Sequence, residues 1–264
     1  MKLGFIGCGN MASAMMSGII SNGIVSAENI MGADVFAPSR EKAQATLGIN
    51  VTEQNCEVVQ WADAVVLSVK PQFYEAVIGE IKDVVKEGQL IITLAPGKTL
   101  EWLEAQFGKP VKVIRTMPNT PAMVLEGMTA ACPNSYVTDE ELESVCKILR
   151  GFGDVEVVPE KMIDAVVAVS GSSPAYVFMM IEAMADAAVA EGMPRSRAYK
   201  FAAKAVLGSA KMVLETGKQP GELKDMVCSP GGTTIEAVKV LEATGFRSCL
   251  MEAMEACAEK SRSL

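Results

Sequence analysis

Lys2-Leu3-Gly4-Phe5-Ile6-Gly7-Cys8-Gly9-Asn10-Met11-Ala12 is the stretch that decides the fold. Residues 2–6 read as a short buried strand, and residues 14–20 continue as a helix. Between them stands the pattern G-x-G-x-x-A, at a strand-to-helix turn. Gly7 permits the tight turn, Gly9 lets a pyrophosphate approach the backbone, and Ala12 lets the helix pack close to the strand. Any glycine-rich turn would share the glycines. The strand before and the helix after make a dinucleotide site the expectation, with Gly7, Gly9, Asn10 and Met11 as its contacts.

Strand-like and helix-like segments alternate outward from this point. Strands are expected at 30–36, 64–69, 90–94 and 111–115, with further ones near 127–132 and 154–158. Helices are expected at 39–47, 53–61, 73–85, 99–107 and 139–150. Continuous apolar strands alternating with helices mean a mostly parallel sheet covered on both faces. After Pro159 the character changes, and beyond Pro174 only helices are expected, at 174–191, 195–216, 220–228, 233–244 and 247–261. The predicted fold is α/β: a Rossmann-like, doubly wound domain over residues 1–158, then an all-helical domain for substrate binding and dimerisation over 159–264.

Composition narrows the function. Half the residues are hydrophobic and 21% are charged, which describes a globular chain; a net charge of −8 argues against nucleic acid as a partner. Seven cysteines, with no C-x-x-C and no zinc spacing, read as reduced core thiols and give no metal site. No run of 18 apolar residues predicts a membrane span, so cytoplasm or an organelle matrix is the default compartment. The chain has no histidine, so its chemistry cannot use the commonest acid–base side chain.

The helix from Pro174 to Glu191 carries charge only at Glu182, Asp186 and Glu191. A helix apolar on nearly every side must be buried on nearly every side. Five helices could hardly cover it, so a second subunit is expected to, giving a homodimer and leaving higher homo-oligomers open. A central helix wrapped by its own neighbours is the other reading. Ser172 or Ser173 is expected to cap this helix, with Pro174 at its first position. Glu182 and Asp186 read as a solvated or ion-paired stripe.

Three features bear on ligands. The second strand runs out into Phe36-Ala37-Pro38-Ser39-Arg40, with Asp34 expected to point into the sheet. The hydroxyl of Ser39 and the guanidinium of Arg40 suit a 2′-phosphate, which favours NADP and leaves NAD open. The plainer reading has Ser39 capping the next helix and Arg40 solvated. Lys70-Pro71, Ala95-Pro96-Gly97 and Arg115-Thr116-Met117-Pro118-Asn119-Thr120-Pro121 end successive strands on one sheet edge, where a nicotinamide pocket is expected. Finally, Ser229-Pro230-Gly231-Gly232-Thr233-Thr234 breaks a helical region. A Gly-Gly pair before a helix N-terminus exposes backbone N–H groups that suit an anion, with Thr233 or Thr234 as the expected cap.

The chain resembles the Δ1-pyrroline-5-carboxylate reductase family over essentially its whole length. The resemblance rests on Phe5 to Ala12, Val69-Lys70-Pro71-Gln72, Arg115 to Pro121, Gly171-Ser172-Ser173-Pro174-Ala175-Tyr176 and, most specifically, Leu223 to Thr234. It implies reduction of a cyclic imine to L-proline by hydride from NAD(P)H. A protonated iminium is already electrophilic, which fits a site without histidine. It further implies that backbone N–H groups of Gly231, Gly232 and Thr233 bind the substrate carboxylate. Thr234 is implied to hydrogen-bond the ring nitrogen, with Ser229 a weaker catalytic candidate. Ser39, Arg40 and Asn55 are implied near the adenosine, and Lys70, Pro71, Ala95 and Asn119 along the nicotinamide half. Family dimers interleave their helical domains, so the Ser229–Thr234 loop is implied to face the partner's cofactor.

Two positions depart from the family pattern: Ser173 stands where a glycine is common, and Pro96 where a small residue is. Two other readings remain: a two-domain 3-hydroxyacid dehydrogenase, and a non-catalytic NADP(H)-binding sensor. The first needs a catalytic lysine that the helix after Pro174 lacks. The second has no use for another anion site.

Overall fold

The structure is a computed structural model and describes residues 1–94 and 96–263. Among these, eight strands form one sheet: β1 (Leu3–Ile6), β2 (Ile30–Ala33), β3 (Asn50–Thr52), β4 (Ala64–Leu67), β5 (Leu90–Thr93), β6 (Lys112–Met117), β7 (Gly127–Pro133) and β8 (Gly153–Val157). Their order is β3-β2-β1-β4-β5-β6-β7-β8, parallel throughout except where β6 meets β7. The helices flanking the sheet are α1 (Asn10–Ser21), α2 (Ala37–Leu47), α3 (Asn55–Trp61), α4 (Tyr74–Ile81), α5 (Leu100–Phe107) and α6 (Asp139–Leu149). Later come α7 (Ile163–Val166), α8 (Ser173–Ala190), α9 (Arg195–Thr216), α10 (Pro220–Val227), α11 (Thr233–Ala243) and α12 (Phe246–Arg262).

The apolar strands are buried on both faces, as their composition requires. Successive residues of a strand point to opposite sides. Phe5, Val66 and Ile92 accordingly enter one core with Met15 and Phe152. Ile6, Val65, Leu67 and Ile91 enter the other with Tyr74, Ile78 and Leu103. The strand order reverses between β1 and β4, the position where open α/β sheets bind ligands.

Three expectations change. β3 was not foreseen: it is three residues long, lies at the sheet edge and is at most half-buried, so it carries no apolar run. The second strand ends at Ala33, and Asp34 turns back to the glycine turn where the sequence reading sent it into the sheet. α8 does not start afresh from extended chain: Ser172, just before it, has near-helical φ −99° and ψ −26°. Helical backbone runs through a π-helical turn, Val167–Gly171, directly into it, with Ser172 N bonded to Val167 O. Pro174 is tolerated because it stands second in α8, just past that turn.

The chain divides into two compact units, one of Met1–Ser172 with Cys257–Leu264 and the other of Ser173–Ala256. In the second unit α8 and α9 pack through small residues, with Ala185, Ala198 and Ala202 buried. Elsewhere α8 is at most half-buried, and Phe178 and Met179 are 61% and 68% exposed. Its own neighbours therefore wrap this helix only in part. Asp186 pairs with Arg195, the ion-paired outcome for that stripe. The run Glu160–Ala190 is, by length and composition alone, apolar enough to cross a membrane, and 17% of its apolar window is buried.

Candidate functional site

The turn after β1 is fixed by its surroundings. Gly7 has φ +101°, a region that favours glycine, and its N–H donates to Ala33 O at 2.7 Å. A Cβ there would stand 2.8 Å from Ser68 O. Cys8 N donates to a carboxylate oxygen of Asp34 at 2.8 Å. The Cys8 thiol is buried beside that carboxylate, which pushes its pKa up to about 12 and leaves it unreactive. Gly9 is the N-cap of α1, with no side-chain cap. A Cβ on Gly9 would meet nothing within 4 Å, so the space above the helix end is open. The first N–H groups of a helix have no partner within it. Exposed Asn10 and half-buried Met11 stand there, so this turn fits a pyrophosphate.

The adenosine-side candidates are placed differently from one another. Ser39 lies inside the first turn of α2, its N–H bonded to Phe36 O, so it is not a cap. The Arg40 guanidinium donates to the backbone oxygen of Asp34 and lies 3.6 Å from a Glu53 oxygen, so it is not simply solvated. Asn55 is buried at the start of α3, where its amide donates to Glu80 at 2.7 Å.

Along the same sheet edge a cleft of about 300 Å³ is lined by Met11, Ser68, Lys70, Leu94, Asn119 and Gly171. The loops after β1, β4, β5 and β6 thus meet, as expected for a nicotinamide pocket. Lys70 is exposed at its rim, and Pro71 starts the 3-10 turn behind it. The Asn119 amide is engaged at both ends: its Nδ2 donates to Ser170 O at 3.0 Å and its Oδ1 accepts from Met128 N at 2.9 Å. It ties the cleft wall to the π-helical turn. Ala95 lies outside the described residues.

In the second unit, Ser229-Pro230-Gly231-Gly232 forms a tight turn. Gly231 has φ +67°, and Gly232 N donates to Ser229 O at 3.0 Å. That bond occupies the Gly232 N–H, which the sequence reading had offered to a carboxylate. Gly232 is also the N-cap of α11, so neither threonine caps it. The free donors of the helix end begin at Thr233. Among the described residues no hydrogen bond engages the Ser229, Thr233 or Thr234 hydroxyls.

The sequence reading missed Asp34 as an organiser of the glycine turn. The signal was an acid some two dozen residues beyond the glycines, where dinucleotide folds commonly place one.

Comparison with known proteins agrees with this geometry. Residues 160–264 match the family described as pyrroline-5-carboxylate reductase dimerisation. Residues 2–97 match the family described as NADP oxidoreductase, coenzyme F420-dependent. The chain is 55% identical to pyrroline-5-carboxylate reductase of Escherichia coli K12, covering 100% of this chain and 98% of that one. It is 44% identical to the reductase of Methanosarcina acetivorans, over 100% of this chain and 97% of that one. Among solved structures, a pyrroline-5-carboxylate reductase from Coxiella burnetii aligns with a TM-score of 0.93 at 35% identity, covering 99% and 97% of the two chains. A Plasmodium falciparum pyrroline carboxylate reductase with NADP bound aligns with a TM-score of 0.90 at 32% identity, again over 99% and 97%. With an open glycine turn at one helix end, a second at another and relatives of this kind along its full length, the chain belongs to the pyrroline-5-carboxylate reductase family.

Proposed function

We propose that this chain reduces Δ1-pyrroline-5-carboxylate to L-proline with NADPH, as a homo-oligomer. The observation that carries the reading is the Ser229–Thr234 turn, standing in a chain that matches curated reductases from end to end. The coenzyme, when bound, supplies the hydride to the imine carbon. The N-terminal end of α1 would hold its pyrophosphate, with Gly7 shaping the turn and Gly9 leaving room. Met11, Lys70 and Asn119 would border its nicotinamide half. Thr233 N–H and its neighbours at the start of α11 would bind the substrate carboxylate. Thr234 Oγ1 would accept the N–H of the protonated iminium and so orient the ring, leaving positioning as the main catalytic contribution.

The match to a dimerisation family supports a homo-oligomer, as do the exposed Phe178 and Met179 of α8. We read the Ser229–Thr234 turn as serving a site completed by a second copy. A cytoplasmic setting is also our reading, supported by seven free cysteines. The test is NADPH oxidation by the purified protein with pyrroline-5-carboxylate, beside a panel of 2-keto acids and NADP reduction with 3-hydroxy acids. Turnover confined to the imine is expected. Turnover of a 3-hydroxy acid with none of the imine would replace this reading.

A further inference from the structure

Tyr74 is fully buried at the start of α4, and its hydroxyl lies between two strand ends that lead into the cleft. Pro71 opens the 3-10 turn after β4, where its fixed φ suits a first helical position, and the chain turns back so that Tyr74 meets the strand it has just left. The hydroxyl donates to Leu67 O at 2.5 Å and accepts from Leu94 N at 3.0 Å. β4 and β5 run parallel, and their last pair is Leu67 with Thr93. Ser68 N donates to Ile6 O, so Ser68 faces β1, and Leu67, one residue earlier, faces β5. In a parallel ladder Leu67 O would then accept from the residue after Thr93, which is Leu94. The Tyr74 hydroxyl occupies the place of that rung.

A direct rung holds N and O about 2.9 Å apart. Here they are joined through an oxygen, by links of 3.0 and 2.5 Å, so the two strands part where their loops begin. The end of β4 is tied the other way, with Ser68 Oγ 2.8 Å from Gly7 O and 3.0 Å from Ile6 O. Ser68 and Leu94 both line the cleft of about 300 Å³. The phenol ring shares its core with Leu67, Ile78 and Ile91, which fixes where the hydroxyl stands. We infer that Tyr74 is a positioning residue of this cleft: its hydroxyl replaces the last rung between β4 and β5 and holds the two loops apart, so that the nicotinamide ring has room beside Ser68 and Leu94. The inference rests on the coenzyme reading of the first unit and is independent of the imine substrate.

The experiment is calorimetric titration of the purified protein, without imine, with NADPH and with 2′-phospho-ADP-ribose, which lacks the nicotinamide ring. Tyr74→Phe keeps the ring in the core and leaves Leu94 N and Leu67 O to pair directly. It should weaken NADPH by about tenfold and leave 2′-phospho-ADP-ribose within about twofold of wild type. Tyr74→Met, which also lacks the hydroxyl, should show the same split. Equal weakening of both ligands would confine Tyr74 to bracing the fold and overturn the inference. So would NADPH affinity unchanged within about twofold in both variants, or failure of both to fold. A wild type that binds neither ligand would overturn the coenzyme reading itself, a result separable from the others because it needs no variant.

Discussion

The turn before α1 and the turn before α11 present the same backbone device: a glycine with positive φ, then a glycine N-cap with no side chain closing the helix end. Their surroundings differ. The first is locked between strands, since a Cβ on Gly7 would meet Ser68 O at 2.8 Å and Cys8 N is held by Asp34. The second is nearly free, since a Cβ on Gly231 would meet nothing within 4 Å and Ser229, Gly231 and Thr233 are exposed. A pyrophosphate contact set by the sheet switch point can be built from one chain's own core. A substrate contact on a bare helical turn has little support from its own chain. This difference is what we expect if the second turn completes its site only in an assembly.

The largest effect should come from breaking the locked turn. Gly7→Ala adds left-handed backbone strain to a clash with a backbone oxygen, which cannot rotate away. We expect a loss of about 3 kcal/mol or more in stability, together with loss of coenzyme binding. Gly231→Ala adds strain without a clash and should destabilise by only about 1 kcal/mol. Urea unfolding of both variants, with coenzyme titration, measures the contrast. Equal losses would mean that the two turns are supported alike.

Next in size is a change that leaves both turns standing. Thr234→Ala removes a half-buried hydroxyl that has no hydrogen bond among the described residues. Turnover should fall roughly a hundredfold, equivalent to about 2.7 kcal/mol of transition-state stabilisation. NADPH affinity should stay within about twofold, because our reading puts the coenzyme on the first unit. Steady-state kinetics and coenzyme titration together decide it. Near-wild-type turnover would leave α11 with backbone donors alone.

The locked turn was legible in the sequence because its determinants are local: a strand, three small residues at fixed spacing and a helix lie within twenty residues. The apolar strands at 64–67 and 90–93 were legible for the same reason. Asp34 was not, because its partners are 26 residues back at Cys8 and two residues on at Phe36, and direction within a loop is invisible to periodicity. Nor was the π-helical turn before α8, since a proline after two serines reads equally as a fresh helix start. Gly231 and Gly232 were read correctly as a turn. That the turn consumes the Gly232 N–H follows only from backbone geometry.

The smallest effect comes from a helix end of the opposite kind. α6 begins at a capping box: Thr138 Oγ1 accepts from Glu141 N at 3.3 Å, and a Glu141 oxygen accepts from Thr138 N at 3.0 Å. The N–H groups of Thr138 and Glu141 are thus spent on the chain itself. Thr138→Ala should destabilise the protein by about 1 kcal/mol and leave coenzyme binding and turnover unchanged. Glu141 adds a pH signature. Its hydrogen bond from Lys112, and then that from Thr138 N, hold its carboxyl below the ordinary value. A carboxyl lowered on folding stabilises fully above its unfolded pKa of about 4.3, and that contribution fades as pH falls through the folded value. Stability measured on acidification should therefore lose this component in wild type, and Glu141→Gln should flatten it. The same substitution strategy has no counterpart at α1 or α11, where glycine leaves the N-terminal donors for something outside the helix.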